Sequence, residues 1–161
     1  SDLVKDEDTV FILGDLCMGM NSEAAALVNR LKGKKILIRG NHDTTARRKI
    51  FEEDCNIEIH DIYYLPYKGR YFVMCHFPIA SEEFMEMVRR DNSEVIMLYG
   101  HVHSNAACGY VDGTFHVGID TNGLTPISIE EIWKQSWPDA TDEILAYKAK
   151  YENSGKHECD V

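Results

Sequence analysis

Short apolar runs alternate with polar and charged segments along most of this chain. The runs at residues 10–13, 35–39 and 95–99 are each followed by a glycine, which is typical of buried strands that end in a turn. Over residues 21–31, apolar residues recur at the spacing of a helix that packs on a sheet. Strands and helices in alternation predict an α/β domain.

Polar residues and glycines indicate where the first helices begin and end. The helix over residues 21–31 should be capped by Asn21 and Ser22 and terminated by Gly33, because such residues are common at helix boundaries. A second, short and charged helical segment is predicted over residues 44–55.

Two hairpins are predicted further along the chain. Residues 57–75 have strand-type patterns on both sides of a turn at residues 66–69, and residues 110–117 flank an Asp112-Gly113 turn. In the second hairpin His116 occupies the alternate position, so we expect it to face solvent and assign it no chemistry.

The remaining periodic segments are helical, and they set the expected domain organisation. Helices are predicted over residues 81–90, with Ser81 as the cap, and over residues 141–151. We expect one domain over residues 1–132, with residues 133–161 as a helical extension packed on it.

Composition narrows the class of protein. The chain has 161 residues, a net charge of −10 and a pI near 5.1, so stable nucleic-acid binding is not expected. No apolar run is long enough to span a membrane. The five cysteines are odd in number and lack a Cys-x-x-Cys pair, which favours reduced thiols in a cytoplasmic protein.

Residues able to bind a metal follow four of the predicted strands. Each of them alone also fits a turn, a cap or a surface histidine, but their ends would converge if the strands were neighbours in a sheet. Imidazole nitrogen combined with carboxylate and amide oxygen suits Mn, Fe, Ni or Zn better than Ca or Mg. The candidate ligands are Asp15, Asn41, His76, His101 and His103.

Two further candidates lie beside Asn41. His42 is able either to bind a metal or to donate a proton, and Asp43 is able to fix the orientation of its imidazole. No cysteine is followed by the Cys-x5-Arg pattern, so a cysteine-based phosphatase is not indicated.

Four motifs in this order resemble those of the calcineurin-like metallophosphoesterases: Gly14-Asp15, Gly40-Asn41-His42-Asp43, His76 and Gly100-His101-Val102-His103. The later residues 117–120 and 126–128 are similar to the small prokaryotic and phage-type members. The resemblance implies a metallo-dependent phosphatase fold, a four-layer α/β/β/α sandwich of two mixed sheets flanked by helices.

The resemblance also implies an activity: hydrolysis of a phosphoester, as a phosphodiesterase or phosphatase, by a hydroxide that bridges two divalent metals, with manganese favoured. Asp15 would bridge the two ions and His103 would bind the second. Asn41, His76 and His101 would complete the first ion's protein ligands. His42 would protonate the leaving oxygen, with Asp43 orienting it.

One family motif, Asp-x-His at the end of the first strand, occurs nowhere in the 161 residues. We therefore expect an N-terminally incomplete chain that lacks the family's first strand and binds the second ion weakly or not at all. The expected substrate is a phosphoester small molecule or a nucleotide. The alternative is a catalytically weak or inactive member that acts as a protein-binding module; the oligomeric state stays open.

Overall fold

The computed structural model describes residues 3–79, 86, 95–103, 109–111 and 113–137. Within these residues the chain forms a mixed α/β fold with two sheets and three helices. The strands are β1 (Thr9–Ile12), β2 (Lys34–Ile38), β3 (Glu58–His60), β4 (Ile62–Tyr67), β5 (Arg70–Cys75), β6 (Val95–Tyr99), β7 (Gly109–Val111) and β8 (Thr114–His116). The helices are α1 (Asn21–Val28), α2 (Thr45–Cys55) and α3 (Ile129–Ser136).

The two sheets divide the chain near Asp61. The first sheet is parallel, in the order β1-β2-β3, and the second is mixed, in the order β4-β5-β6-β8-β7. The prediction of a single hairpin over residues 57–75 is therefore only partly right. β4 and β5 do form an antiparallel hairpin, but β3 pairs in parallel with β2 in the other sheet.

Alternate residues of β2 face two different cores, because this strand is covered on both sides. Ile36 and Ile38 pack with the second sheet, against residues such as Phe72 and Leu98. Leu37 faces the other way and belongs to a second cluster built by the helices α1 and α2. Helices α1 and α2, the first sheet and the second sheet thus form three successive layers within the described residues, and α3 contributes Ile132 and Trp133 to the core between the sheets.

The boundaries of α1 differ from the prediction. The N-cap position is Met20, with no side-chain cap bond, and the helix ends at Val28 rather than near residue 31. Asn21 is not a cap, because its Oδ1 accepts a hydrogen bond from Arg47 Nε at 3.1 Å. The predicted helix over residues 44–55 is confirmed as α2, and the Thr44 hydroxyl caps it.

Several predicted features lie outside the described residues. They are the helix over residues 141–151 and, apart from residue 86, which is helical, the helix over residues 81–90. The four-layer arrangement stays a prediction. The domain boundary expected after residue 132 falls inside α3. In the part of the chain that the structure describes, no helix combines the length and apolar character needed to cross a membrane.

The turn between β4 and β5 holds α3 against the second sheet. The Tyr67 hydroxyl donates to Glu130 Oε2 at 2.8 Å, and the Lys68 ammonium pairs with the same carboxylate. Trp133 lies beneath this contact in the core between the sheets. The hydrogen bond from Lys68 is the main reason that the pKa of Glu130 lies below its usual value.

Glu130→Gln should lower the free energy of unfolding by about 1–2 kcal/mol at neutral pH, because Lys68 loses a charged partner. A carboxylate whose folded-state pKa is lowered stabilises the fold above its unfolded pKa, here near 4.5, and loses this effect as the pH falls through the folded value. The difference in urea unfolding between the wild type and Glu130→Gln should therefore shrink in acid. Glu131→Gln, at an exposed neighbour, is the control.

Candidate metal centre

The candidate ligands follow strands of two different sheets. The condition that these strands be neighbours in one sheet is met only in pairs, because β1 and β2 are neighbours in the first sheet and β5 and β6 in the second. The strand ends still meet, since the sheets face each other. His76, after β5, donates from Nδ1 to the carbonyl oxygen of Leu13, after β1, at 2.7 Å.

Three of the predicted ligands converge on a fourth, the buried ring of His76, which is 2% exposed. His76 Nε2 lies 3.0 Å from Asn41 Oδ1 and 3.1 Å from His101 Nδ1. It also lies 3.4 Å from Asp15 Oδ2. One ligand atom from each of Asp15, His76 and His101 falls within 4.8 Å of the others, so these residues are able to hold a metal ion.

The chemistry of this donor set fits a cation. A carbonyl oxygen only accepts, so a hydrogen on His76 Nδ1 is committed to Leu13, and in the neutral form of the ring Nε2 presents a lone pair. That lone pair faces the oxygens of Asn41 and Asp15, which are acceptors as well. Convergent lone pairs with few donors repel one another unless a cation lies among them.

Three of the candidate residues have left-handed backbones, which residues other than glycine rarely adopt. The φ angles are 53° at Asp15, 65° at His101 and 47° at His103. Such conformations cost about 1–3 kcal/mol each and cluster at functional sites. The strain therefore supports the interpretation that these turns are shaped for binding.

A close approach explains why the turn after β2 begins with glycine. A Cβ on Gly40 would overlap the Asp15 carboxylate and would lie 2.5 Å from the Asp15 backbone nitrogen. Only a residue without a side chain lets the β1 and β2 turns come this near to each other. Gly40 thus helps to bring Asp15 and Asn41 together.

Asp43 connects the same two turns, but not in the way the sequence suggested. Its Oδ2 accepts hydrogen bonds from the backbone nitrogens of Asp15 and Gly40, both at 2.8 Å, and its Oδ1 accepts from Leu16 at 3.3 Å. In the described part of the chain, none of its hydrogen bonds goes to the His42 ring. The exposed His42 instead uses its backbone N–H, which donates to Asp15 Oδ1 at 2.8 Å.

His103 lies apart from this group. Its side chain is 72% exposed, and Nδ1 lies 3.1 Å from Asp120 Oδ2. His116, on the neighbouring strand β8, was expected to face solvent, and that prediction is wrong because the residue is 1% exposed. The consecutive residues Phe115 and His116 of β8 are both buried, so alternation does not indicate a solvent side for this strand.

Arg47 is a supporting residue that the sequence did not single out. Its guanidinium donates to the carbonyl oxygens of Cys17 and Gly19 and to Asn21 Oδ1, and so fixes the loop that follows Asp15. The sequence did offer one indication: Arg47 lies four residues before Phe51, on the same buried side of α2.

None of the described cysteines is among the groups that meet at His76 Nε2. Cys17, Cys55 and Cys75 are free thiols. Burial raises the pKa of both Cys17 and Cys55, which disfavours the reactive thiolate. The chemistry of the site therefore rests on its carboxylate, amide and imidazole groups.

Both sheets and the ligand turns fall within the range matched by a known family. The model of the calcineurin-like phosphoesterase superfamily domain matches residues 1–118, and the chain belongs to this superfamily. Its members typically bind divalent metals, and the superfamily suggests phosphoester hydrolysis.

Two relatives extend the comparison. The chain is 27% identical over 141 residues to the uncharacterized protein MJ1445 of Methanocaldococcus jannaschii, covering 83% of this chain and 69% of that protein. The crystal structure of AQ665, a protein of unknown function from Aquifex aeolicus, superimposes with a TM-score of 0.62 at 25% identity. That alignment covers 83% of this chain and 78% of the other.

Proposed function

We propose that this protein hydrolyses phosphoesters with the help of divalent cations held by Asp15, Asn41, His76 and His101. The observation that carries the proposal is the convergence of these four side chains around His76 Nε2, from two sheets and four turns. A fold has no structural need to gather acceptor groups at one point. Membership of the superfamily supports the same chemistry.

Divalent cations, when bound, lower the pKa of water and neutralise charge on phosphoryl oxygens. The mixed oxygen and nitrogen donors favour Mn, with Fe, Zn and Ni as alternatives. We propose that His103 serves a second cation, apart from the first group. Because only Asp120 contacts its ring in the described residues, we expect this second ion to bind weakly.

The chain's own residues have distinct proposed roles. His42 donates a proton to the departing oxygen, and its exposed ring leaves it accessible to substrate. Asp43 acts as a positioning residue, because it holds the backbones of Asp15 and Gly40 in register. Removing that acceptor would leave buried N–H groups without partners, at a cost of about 1–3 kcal/mol.

Phosphodiesters, including cyclic nucleotides, are the favoured substrates. Phe77 supports this preference, since it is 44% exposed and its ring centroid lies 4.6 Å from that of His101. An exposed aromatic face beside the cation ligands suits contact with a base or an aryl group. The net charge of −10 disfavours nuclease action on long polymers. The free cysteines support a cytoplasmic location.

The proposal is tested by hydrolysis of bis(p-nitrophenyl) phosphate as Mn(II) is added to metal-free protein. We expect activity to appear as about one tightly bound ion per chain is taken up. His101→Ala should abolish both uptake and activity, while His60→Ala, which removes a half-buried histidine bound to Glu58, should change neither. Two tightly bound ions would refute the expected stoichiometry. Tight Mn(II) binding without turnover of any phosphoester would favour the alternative, a protein-binding module.

A further inference from the structure

The loop after β8 brings a carboxylate against His103. Asp120 Oδ2 lies 3.1 Å from His103 Nδ1. A carboxylate only accepts hydrogen bonds, so the hydrogen of the neutral ring is held at Nδ1. The other nitrogen, Nε2, then presents a lone pair, which suits a metal ligand and does not suit a donor to phosphate.

Backbone hydrogen bonds fix the loop that carries Asp120. The Ile119 carbonyl accepts from the backbone nitrogens of Asn122 and Leu124, at 3.2 Å and 2.8 Å. The backbone nitrogen and the hydroxyl of Thr121 both donate to the Gly118 carbonyl. The loop starts beside the turn of His103, because Val117 N–H donates to Tyr99 O at 3.0 Å. Asp120 is thus held in place by its own turn.

A buried histidine lies under the same carboxylate. His116 Nδ1 lies 3.4 Å from the Thr121 hydroxyl, and its buried Nε2 has no hydrogen-bond partner in the described residues. A Cβ added to Gly118 would lie 2.7 Å from both His116 Nε2 and Asp120 Oδ1. The absent side chain of Gly118 therefore lets the buried imidazole and the carboxylate approach each other.

We propose that Asp120 is a positioning residue for His103. Gly118 and His116 lie beneath the Asp120 carboxylate and keep it in place. Asp120 holds the hydrogen of His103 at Nδ1 and so commits Nε2 to a divalent cation. Carboxylates behind metal-binding histidines commonly act in this way, and their loss weakens metal affinity by about 10–100-fold. The metal-binding part of this inference rests on the proposed function.

The first test is the tautomer of His103, read from ¹⁵N shifts of the imidazole rings in the metal-free full chain at neutral pH. We expect Nδ1–H in the wild type. Asp120→Ala should move the population toward Nε2–H, and Asp120→Asn, which keeps an acceptor oxygen, should retain most of the original form. Asp61→Ala, at an exposed aspartate paired with Arg39, is the matched control. Since no metal or substrate is present, this measurement stands even if hydrolysis is never found.

The second test is a Zn(II) titration followed at the His103 ring. Asp120→Ala should raise the midpoint about 10–100-fold, Asp120→Asn less, and Gly118→Ala should act in the same direction by displacing the carboxylate. The proposal is overturned if the wild-type ring carries hydrogen at Nε2 or at both nitrogens, or if Asp120→Ala leaves tautomer and midpoint unchanged. Equal and complete loss of Zn(II) in both Asp120 variants would instead identify Asp120 as a direct ligand and also overturn it.

Discussion

Asp15→Asn is expected to weaken Mn(II) binding by at least about 100-fold and to abolish phosphoester hydrolysis in parallel. Loss of a hydrogen-bond partner behind a metal ligand already lowers metal affinity by about 10–100-fold. Loss of a ligand itself should therefore lower it at least as much. The asparagine oxygen is still able to accept from His42 N–H, as Asp15 Oδ1 does at 2.8 Å. Its NH₂ group would then face His76 Nε2 and donate to the lone pair that a cation would otherwise meet.

The fold should survive this substitution, and the metal-free variant should melt at or above the temperature of the metal-free wild type. Added Mn(II) should stabilise only the wild type, because a ligand that binds the native state raises its stability by mass action. Elemental content after desalting and calorimetric titration measure Mn(II) binding. Thermal unfolding measures the stability of the variant and the wild type with and without Mn(II). Asp61→Asn is the control for the same chemical change at an exposed position. Full Mn(II) content in Asp15→Asn would contradict the ligand assignment.

His42→Ala is expected to slow hydrolysis of esters with poor leaving groups by about 10²–10⁴-fold, the range typical of a lost general acid. Esters with p-nitrophenolate as leaving group should slow far less, because that group departs without a proton. Mn(II) binding should be retained, since the contact of residue 42 with Asp15 comes from its backbone nitrogen, which alanine keeps.

The measurement is kcat for the wild type and His42→Ala across phosphodiesters of increasing leaving-group basicity, at saturating Mn(II). The variant should show a steeper dependence on leaving-group pKa. His60→Ala serves as the control, because it removes a histidine held by Glu58 at the end of β3. An equal loss for activated and unactivated esters would argue against proton donation by His42.

Hydrophobic patterning predicted the strands of this fold well where a run was short and ended at glycine. The run at residues 95–99 corresponds to β6 without any shift. The pattern could not tell which sheet each strand joins, because pairing is decided by contacts between distant segments. β3 and β4 are adjacent in sequence yet belong to different sheets, so the predicted hairpin included one strand too many.

The same limit applies to the candidate site, because the local sequence identifies its residues but not their contacts with distant segments. Strand ends identified Asp15, Asn41, His76 and His101, which the fold does bring together. Their roles as ligands stay predictions. The burial of His116 and the contacts of Asp43 depend on which strands and turns surround them, and a single sequence carries no such information.

The ligands of the candidate centre come from both sheets, and this has a thermodynamic consequence. A cation bound there would join the two layers at one edge, while the apolar core joins them elsewhere. Occupancy and folding would then be linked, so that about 100-fold excess of free ion over its dissociation constant adds about 2.7 kcal/mol to the native state. A bound ion should therefore offset part of the stability lost through substitutions in the apolar core between the sheets, and depletion of the ion should expose such variants to proteolysis.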